Sequence, residues 1–219
     1  MERYRGRIEN IFQCFLEVIY PREEKCYVCN KEGGKIICDK CNRKIDRAND
    51  ILEVEGCNLY ICSYYSFIIK DLILRLKYKG DFHAGEILVL LLEEKIKKEN
   101  LNIDYIAYVP IAKDAMKKKE FNQCEYLAKE LGKRLDKKVA QVLKKKNKVK
   151  EQKTLTKEER DKNVSEAFEI IDLKLLEGKN ILLLDDVITT GSTLKYCTLE
   201  LKKIKDIEIF LLTIAKSNI

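Results

Sequence analysis

Two neighbouring carboxylates, Asp185 and Asp186, stand just before a small hydroxyl-rich segment, Thr189-Thr190-Gly191-Ser192-Thr193. Four apolar residues, Ile181-Leu182-Leu183-Leu184, precede the acids, and Leu194, Cys197, Leu201 and Ile204 follow the turn at helical spacing. This reads as a strand buried on both faces and closed by the acid pair, then a turn, then the first turn of a helix. Free N–H groups at a helix start, the positive end of its dipole and a glycine that admits close approach form an anion cradle, to which the hydroxyls add donors. Phosphate suits such a cradle. The carboxylates would repel a phosphate laid on them, so they should face sugar hydroxyls or a hydrated Mg²⁺ instead. The expected guest is a sugar phosphate, bound at the carboxyl end of a parallel sheet. An ordinary strand with a threonine-rich cap would explain the hydroxyls, but it would not require the paired acids.

A second constellation lies near the start. Cys26-x2-Cys29 and Cys38-x2-Cys41 are separated by eight residues that include Gly33-Gly34. This spacing forms two knuckles that can close a tetrahedral Zn²⁺ site, and with four sulfur ligands none is left open for water, so the role would be structural. Four reduced structural cysteines, a disulfide pair or an iron–sulfur cluster are the alternatives. Cys14, Cys57, Cys62, Cys124 and Cys197 are scattered among apolar residues and read as small core side chains.

The elements that must hold these groups follow from periodicity. Residues 7–19 read as an amphipathic helix, with Ile8, Ile11, Phe12, Phe15 and Ile19 on one face. Residues 46–62 read as a connector leading into a strand at Leu59–Tyr65. A helical stripe of Ile68, Ile69, Leu72, Ile73 and Leu76 stops at Gly80-Asp81, and a second helix is expected from Gly85 to about Lys98. Ile103 to Pro110 reads as a strand, residues 120–135 as a helix and Val139 to Leu143 as a strand, which together make a parallel crossover. The lysine-rich run 144–150 and the polar stretch to Val164 hold little to bury. They read as a solvated loop, or as a cover that excludes water from a reactive sugar. Val164 to Ile171 and residues 207–215 are expected strands. His83, the single histidine, reads as a surface or capping residue.

Length and composition admit one medium domain plus a small module, with 219 residues, 46% of them apolar and 36% charged, and a net charge of +7. No stretch approaches the roughly 18–20 unbroken apolar residues of a membrane span. Glu9, Asn10, Gln13 and Glu17 interrupt the apolar run that a signal peptide needs, so a cytoplasmic location without membrane insertion is expected.

The segment 181–193 resembles the phosphoribosyl pyrophosphate (PRPP) signature of type I phosphoribosyltransferases: four apolar residues, two acids, an apolar residue, any residue, then Thr-Thr-Gly, any residue, Thr. The wider order also resembles the ComF family of phosphoribosyltransferase-like competence proteins. Its elements are the four-cysteine knuckle, Tyr64 to Asp81 ending in Leu76-Lys77-Tyr78-Lys79-Gly80-Asp81, Val109-Pro110, Phe121-Asn122-Gln123, Gln152, Glu159 to Val164 and the PRPP motif. The resemblance implies an α/β fold, a type I phosphoribosyltransferase-like parallel-sheet domain with helices on both faces, over residues 58–219. A four-cysteine zinc-binding module with the N-terminal helix would occupy residues 1–57.

By the same resemblance Asp185 and Asp186 are the catalytic acids and hold the ribose hydroxyls. Val187, Thr189, Thr190, Gly191, Ser192 and Thr193 complete the PRPP site around the 5′-phosphate. Pro110, Ile111, Ala112 and Lys113 form a pyrophosphate loop, Gln152, Arg160 and Asn163 belong to a flexible loop, and Mg²⁺ accompanies PRPP. The family's Arg-Gly before Phe-Asn-Gln is Lys119-Glu120 here, which keeps a cation but loses the planar fork that grips phosphate at two points. The implied role is in DNA uptake during natural transformation, with transfer of a phosphoribosyl group and release of pyrophosphate. The alternative is a non-catalytic accessory protein that binds single-stranded DNA and uses the PRPP site as a sensor; DNA-uptake proteins are then further partners. Lysines 117–119 and 144–150 would meet the DNA phosphates, and Tyr78, Phe82 and Phe121 are the candidate stacking residues.

Overall fold

The computed structural model describes residues 25–33, 36–111, 121–145, 167–171 and 176–217. The expected helix at 7–19, Cys14, Ala112, Lys113, Lys117 to Glu120, and the stretch 146–166 with Gln152, Arg160 and Asn163 lie outside the described residues. Two compact units divide the chain, Met1–Lys44 and Ile45–Ile219.

In the first unit an antiparallel bridge joins Lys25 to Glu32, and Cys26 N–H donates to Lys31 O across 2.7 Å. Asn30 takes a left-handed φ of 57° to complete the knuckle. The second cysteine pair frames a single helical turn, α1 (Asp39–Asn42), in which Asn42 N–H donates to Cys38 O.

The second unit is built on a six-stranded sheet. Its strands are β1 (Ile51–Val54), β2 (Cys57–Tyr64), β3 (Tyr105–Tyr108), β4 (Lys138–Val139), β7 (Asn180–Ile188) and β8 (Glu208–Lys216), in the spatial order β1-β2-β8-β7-β3-β4. Only the β1–β2 pair is antiparallel. Its two-residue turn puts Glu55 and Gly56 at φ of 51° and 68°, as a hairpin of right-twisted strands requires. Residues 51–57, expected as connector and counted with the zinc module, therefore pack with the sheet.

Helices cover both faces. α2 (Phe67–Lys79), α3 (Phe82–Lys98) and α4 (Gln123–Leu135) pack in succession, while α5 (Ser192–Leu201) lies over a different face. Ile181 and Leu183 join Leu194, Cys197 and Leu201 in one core, and Leu182 and Leu184, which point the other way, are equally buried. The unbroken apolar run is thus the mark of two-sided burial. Gly80, at φ 61°, ends α2, and Asp81 at once caps α3 by accepting from Ala84 N–H at 3.3 Å, so α3 starts three residues before the expected Gly85.

Two elements differ from expectation. The stretch 139–143 is not one strand: β4 ends at Val139, and β5 (Leu143–Lys145) pairs with β6 (Phe168–Ile170) in a separate antiparallel sheet. There Lys144 meets Glu169 at 3.1 Å and Lys145 lies over the Phe168 ring. The acid pair also does not close its strand. β7 runs through Asp185 and Asp186 to Ile188, because β8 continues beside it to Lys216.

Candidate functional site

The site begins where β3 leaves the sheet. Tyr108 pairs with Leu184, Val109 N–H donates to Leu184 O at 3.0 Å, and there β3 ends. Beyond that point β7 is paired only with β8, Asp185 lying opposite Thr213. Both acids thus stand where β7 has no strand partner on the β3 side, the kind of position at which open α/β sheets place ligands. Val109 and Pro110 are buried there, and Ile111 is half-buried.

Both carboxylates are half-buried and tied down. Asp185 Oδ1 accepts from Asp186 N–H at 2.9 Å and from the buried Cys124 thiol at 3.7 Å. Asp186 Oδ1 accepts from Val187 N–H at 2.8 Å, and Asp186 Oδ2 accepts from Gln123 Nε2 at 2.9 Å. Lys77 Nζ, on α2, lies 3.5 Å from the same oxygen. Burial pushes the Asp185 carboxyl up to about 7, and the charge of Asp186 adds to the rise; Asp186 N–H, Cys124 and Lys77 pull the other way. Burial opposes charge on Lys77, yet Asp186 and Tyr78 outweigh it and hold the ammonium above its ordinary value.

The hydroxyl-rich turn follows directly. Gly191, at φ 76°, is the N-cap of α5 and makes no side-chain capping bond. Thr190 Oγ1 and Ser192 Oγ share a hydrogen bond of 3.0 Å; Thr189 and Thr190 are exposed, and Val187, Ser192 and Thr193 are half-buried. A groove of about 520 Å³ runs along this turn, lined also by Tyr196, Lys216, Glu53 and the ion-paired Lys195 and Glu55, whose charged atoms lie 3.6 Å apart.

Sequence reasoning did not assign Lys77, Gln123 or Cys124 to the site. Lys77 had a signal: it lies four residues after Ile73, on the border of the buried stripe. Asn122 and Gln123 are buried amides at a helix start. Asn122 Oδ1 accepts from Cys124 N–H at 3.0 Å while its Nδ2 donates to Val109 O at 3.3 Å, which joins α4 to the end of β3.

In the first unit, the sulfur atoms of Cys26, Cys29, Cys38 and Cys41 all lie within 4.8 Å of one another. Burial opposes charge on Cys26, but N–H groups of Cys38, Cys29 and Val28 more than offset it and bring the thiol down to about 6. Four thiol donors converging this closely suit a tetrahedral soft-ligand cation, and Zn²⁺ is the ion that such a set fits best.

Residues 122–217 match the family model described as "Phosphoribosyl transferase domain". Over 218 residues the chain is 25% identical to "Competence protein ComFC" of Bacillus subtilis, covering 90% of this chain and 87% of that protein. Over most of its length the chain is thus similar to ComFC, and from Asn122 onward to phosphoribosyl transferase domains. That domain match spans β7, the acid pair and the threonine turn, and its first residues are Asn122 and Gln123. Among solved structures, adenine phosphoribosyltransferase from Thermoanaerobacter pseudethanolicus is 17% identical, with 63% of this chain and 83% of that chain covered at a TM-score of 0.42. Purine phosphoribosyltransferase from Pyrococcus horikoshii is 18% identical, with 61% and 82% covered at 0.40. Among the described residues no helix is long and apolar enough to cross a membrane.

Proposed function

We propose that this chain binds PRPP, or a closely related ribose phosphate, at the end of β7. The observation that carries the reading is the placement of Asp185 and Asp186 where β7 has lost β3 as a partner, a few residues before the glycine-capped start of α5. In this reading the 5′-phosphate takes the hydroxyls and N–H groups of residues 189–193, and the carboxylates accept from the ribose 2′ and 3′ hydroxyls. The pyrophosphate at C1 then lies toward Val109-Pro110, Ile111 and the segment with Ala112 and Lys113. Transfer would break the C1–O bond, the oxygen leaving with the electron pair on pyrophosphate, while an acceptor nucleophile gives its electron pair to C1 to form the new bond; the positive charge that grows on the ribose in between is stabilised by the half-buried acids. Mg²⁺ bound with PRPP would supply charge neutralisation for the departing pyrophosphate. Gln152, Arg160 and Asn163 would belong to the covering loop. The similarity to a competence protein supports a role in DNA uptake, and the four-thiol module suits a reducing, cytoplasmic compartment.

Calorimetric titration of Mg²⁺-PRPP into the zinc-loaded full chain tests the site. Specific binding is expected for the wild type and none for Asp185→Ala/Asp186→Ala. Equal binding by both would overturn the assignment.

A second reading, single-stranded DNA binding, has an observation of its own. Phe67, Leu74 and Tyr78 stand seven and four residues apart on one exposed face of α2, with Tyr78 66% exposed, and Phe82 follows at the start of α3. Lys70 and Lys79 flank them, giving stacking platforms beside cations. Phe67→Ala/Tyr78→Ala should weaken binding of a fluorescent oligothymidine, and unchanged affinity would remove this surface from the reading.

A further inference from the structure

The acid pair has one cationic neighbour among the described residues within ion-pair distance, and that neighbour is held loosely. Lys77 Nζ approaches Asp186 Oδ2 at 3.5 Å, beyond an ordinary hydrogen bond, while Gln123 already supplies that oxygen with a donor at 2.9 Å. Asp186 Oδ1 is taken by Val187 N–H. The carboxylate is therefore positioned without Lys77. Ribose hydroxyls that donate to Oδ2 must compete with the ammonium, whose four-carbon stem lets it move while the backbone of α2 stays fixed. The nearby position for a displaced cation is set by the fold. Gln123 bonds the same Asp186 oxygen that Lys77 approaches, and its neighbour Asn122 is bonded to Val109 O, so Lys77 meets Asp186 on the side of the last residues of β3. The threonine turn instead leads into α5, which packs on a different face.

We propose that Lys77 is a pyrophosphate-binding residue of this site, exchanging Asp186 for a phosphate oxygen of the ligand as ribose hydroxyls occupy the carboxylate. This rests on the PRPP reading given above. No bond is made or broken in the exchange; one ionic partner replaces another, and the group at C1 gains a point charge on the side opposite the 5′-phosphate cradle.

The test compares two ligands that differ only in the group at C1. Mg²⁺-PRPP and ribose 5-phosphate are titrated into zinc-loaded wild-type chain, Lys77→Met and Lys77→Arg, with thermal unfolding run on each protein. Lys77→Met should weaken PRPP binding by about tenfold or more, the scale of one lost charged hydrogen bond, and leave ribose 5-phosphate within about twofold. Lys77→Arg should recover part of the PRPP affinity, because it keeps the charge at a shifted position. Equal loss for both ligands would show that Lys77 acts only by shaping Asp186, and no loss for either would place it outside the site. Each overturns the inference while leaving the PRPP reading standing. A folded wild type that binds neither ligand overturns both together.

Discussion

Gln123 Nε2 donates to Asp186 Oδ2 across 2.9 Å, joining the first turn of α4 to the end of β7. The contact makes the geometry of the acid pair depend on the helix that follows the β3 loop. Gln123→Ala should leave the fold intact and weaken Mg²⁺-PRPP binding by roughly tenfold, since a hydrogen bond to a charged group is worth about 1.5–3 kcal/mol. Titration calorimetry checks this, and an affinity within twofold of wild type would show that Asp186 holds its place unaided.

Asp185 gives the ligand-free protein a pH-dependent weakness. Its carboxyl is raised from 3.8 to about 7, chiefly by burial and then by the charge of Asp186. Between these values the folded chain keeps a proton that the unfolded chain has released, so this group's contribution to stability falls as pH rises from about 4 to about 7 and is level above. Asp185→Asn has no such titration. Urea melts should show the variant gaining on wild type as pH rises through that window, by at most about 1.4 kcal/mol per pH unit. A gap that stays constant with pH would mean that Asp185 titrates as an ordinary carboxyl.

Gly132 is the tight point between α4 and β4. A Cβ there would meet Val139 Cγ2 at 2.5 Å and the Lys137 carbonyl oxygen at 2.9 Å. Gly132→Ala should therefore destabilise by about 1–3 kcal/mol, although alanine is favoured over glycine inside a helix by about 1 kcal/mol. A raised midpoint in a urea melt would show that β4 moves aside without cost.

Metal analysis of the purified full chain should find about one Zn²⁺ per chain, bound by four thiolates that a chelator exposes to a thiol reagent. Cys38→Ser/Cys41→Ser should lose the metal and make residues 25–44 sensitive to protease. A folded, metal-free module in the wild type would remove the zinc assignment.

Local pattern was enough to read much of this protein. Ile181 to Leu184 announced a strand buried on both faces, the 194/197/201/204 spacing announced α5, and Gly80-Asp81 marked the end of one helix, though the next was expected only from Gly85. In each case the signal lies within a few residues, in side-chain periodicity or in a φ that glycine tolerates. The acid pair and the threonine turn were legible for the same reason, being contiguous.

Other features had no local signal. β1 is a short edge strand, and only its pairing with β2 makes it one. β7 passes through its acids because β8 runs on beside it, and 139–143 divides because its two ends find different partners. Lys77 and Gln123 stand 109 and 63 positions from Asp186 in the chain, and both reach it because the last turn of α2 and the first turn of α4 meet at the end of β7. The sequence by itself determined which segments could be strands, helices and turns, and which residues could hold an anion or a metal. The tertiary structure alone decided which distant side chains complete the acid pair, because hydrophobic faces choose their neighbours by shape and burial across the whole chain, a choice that no local window contains.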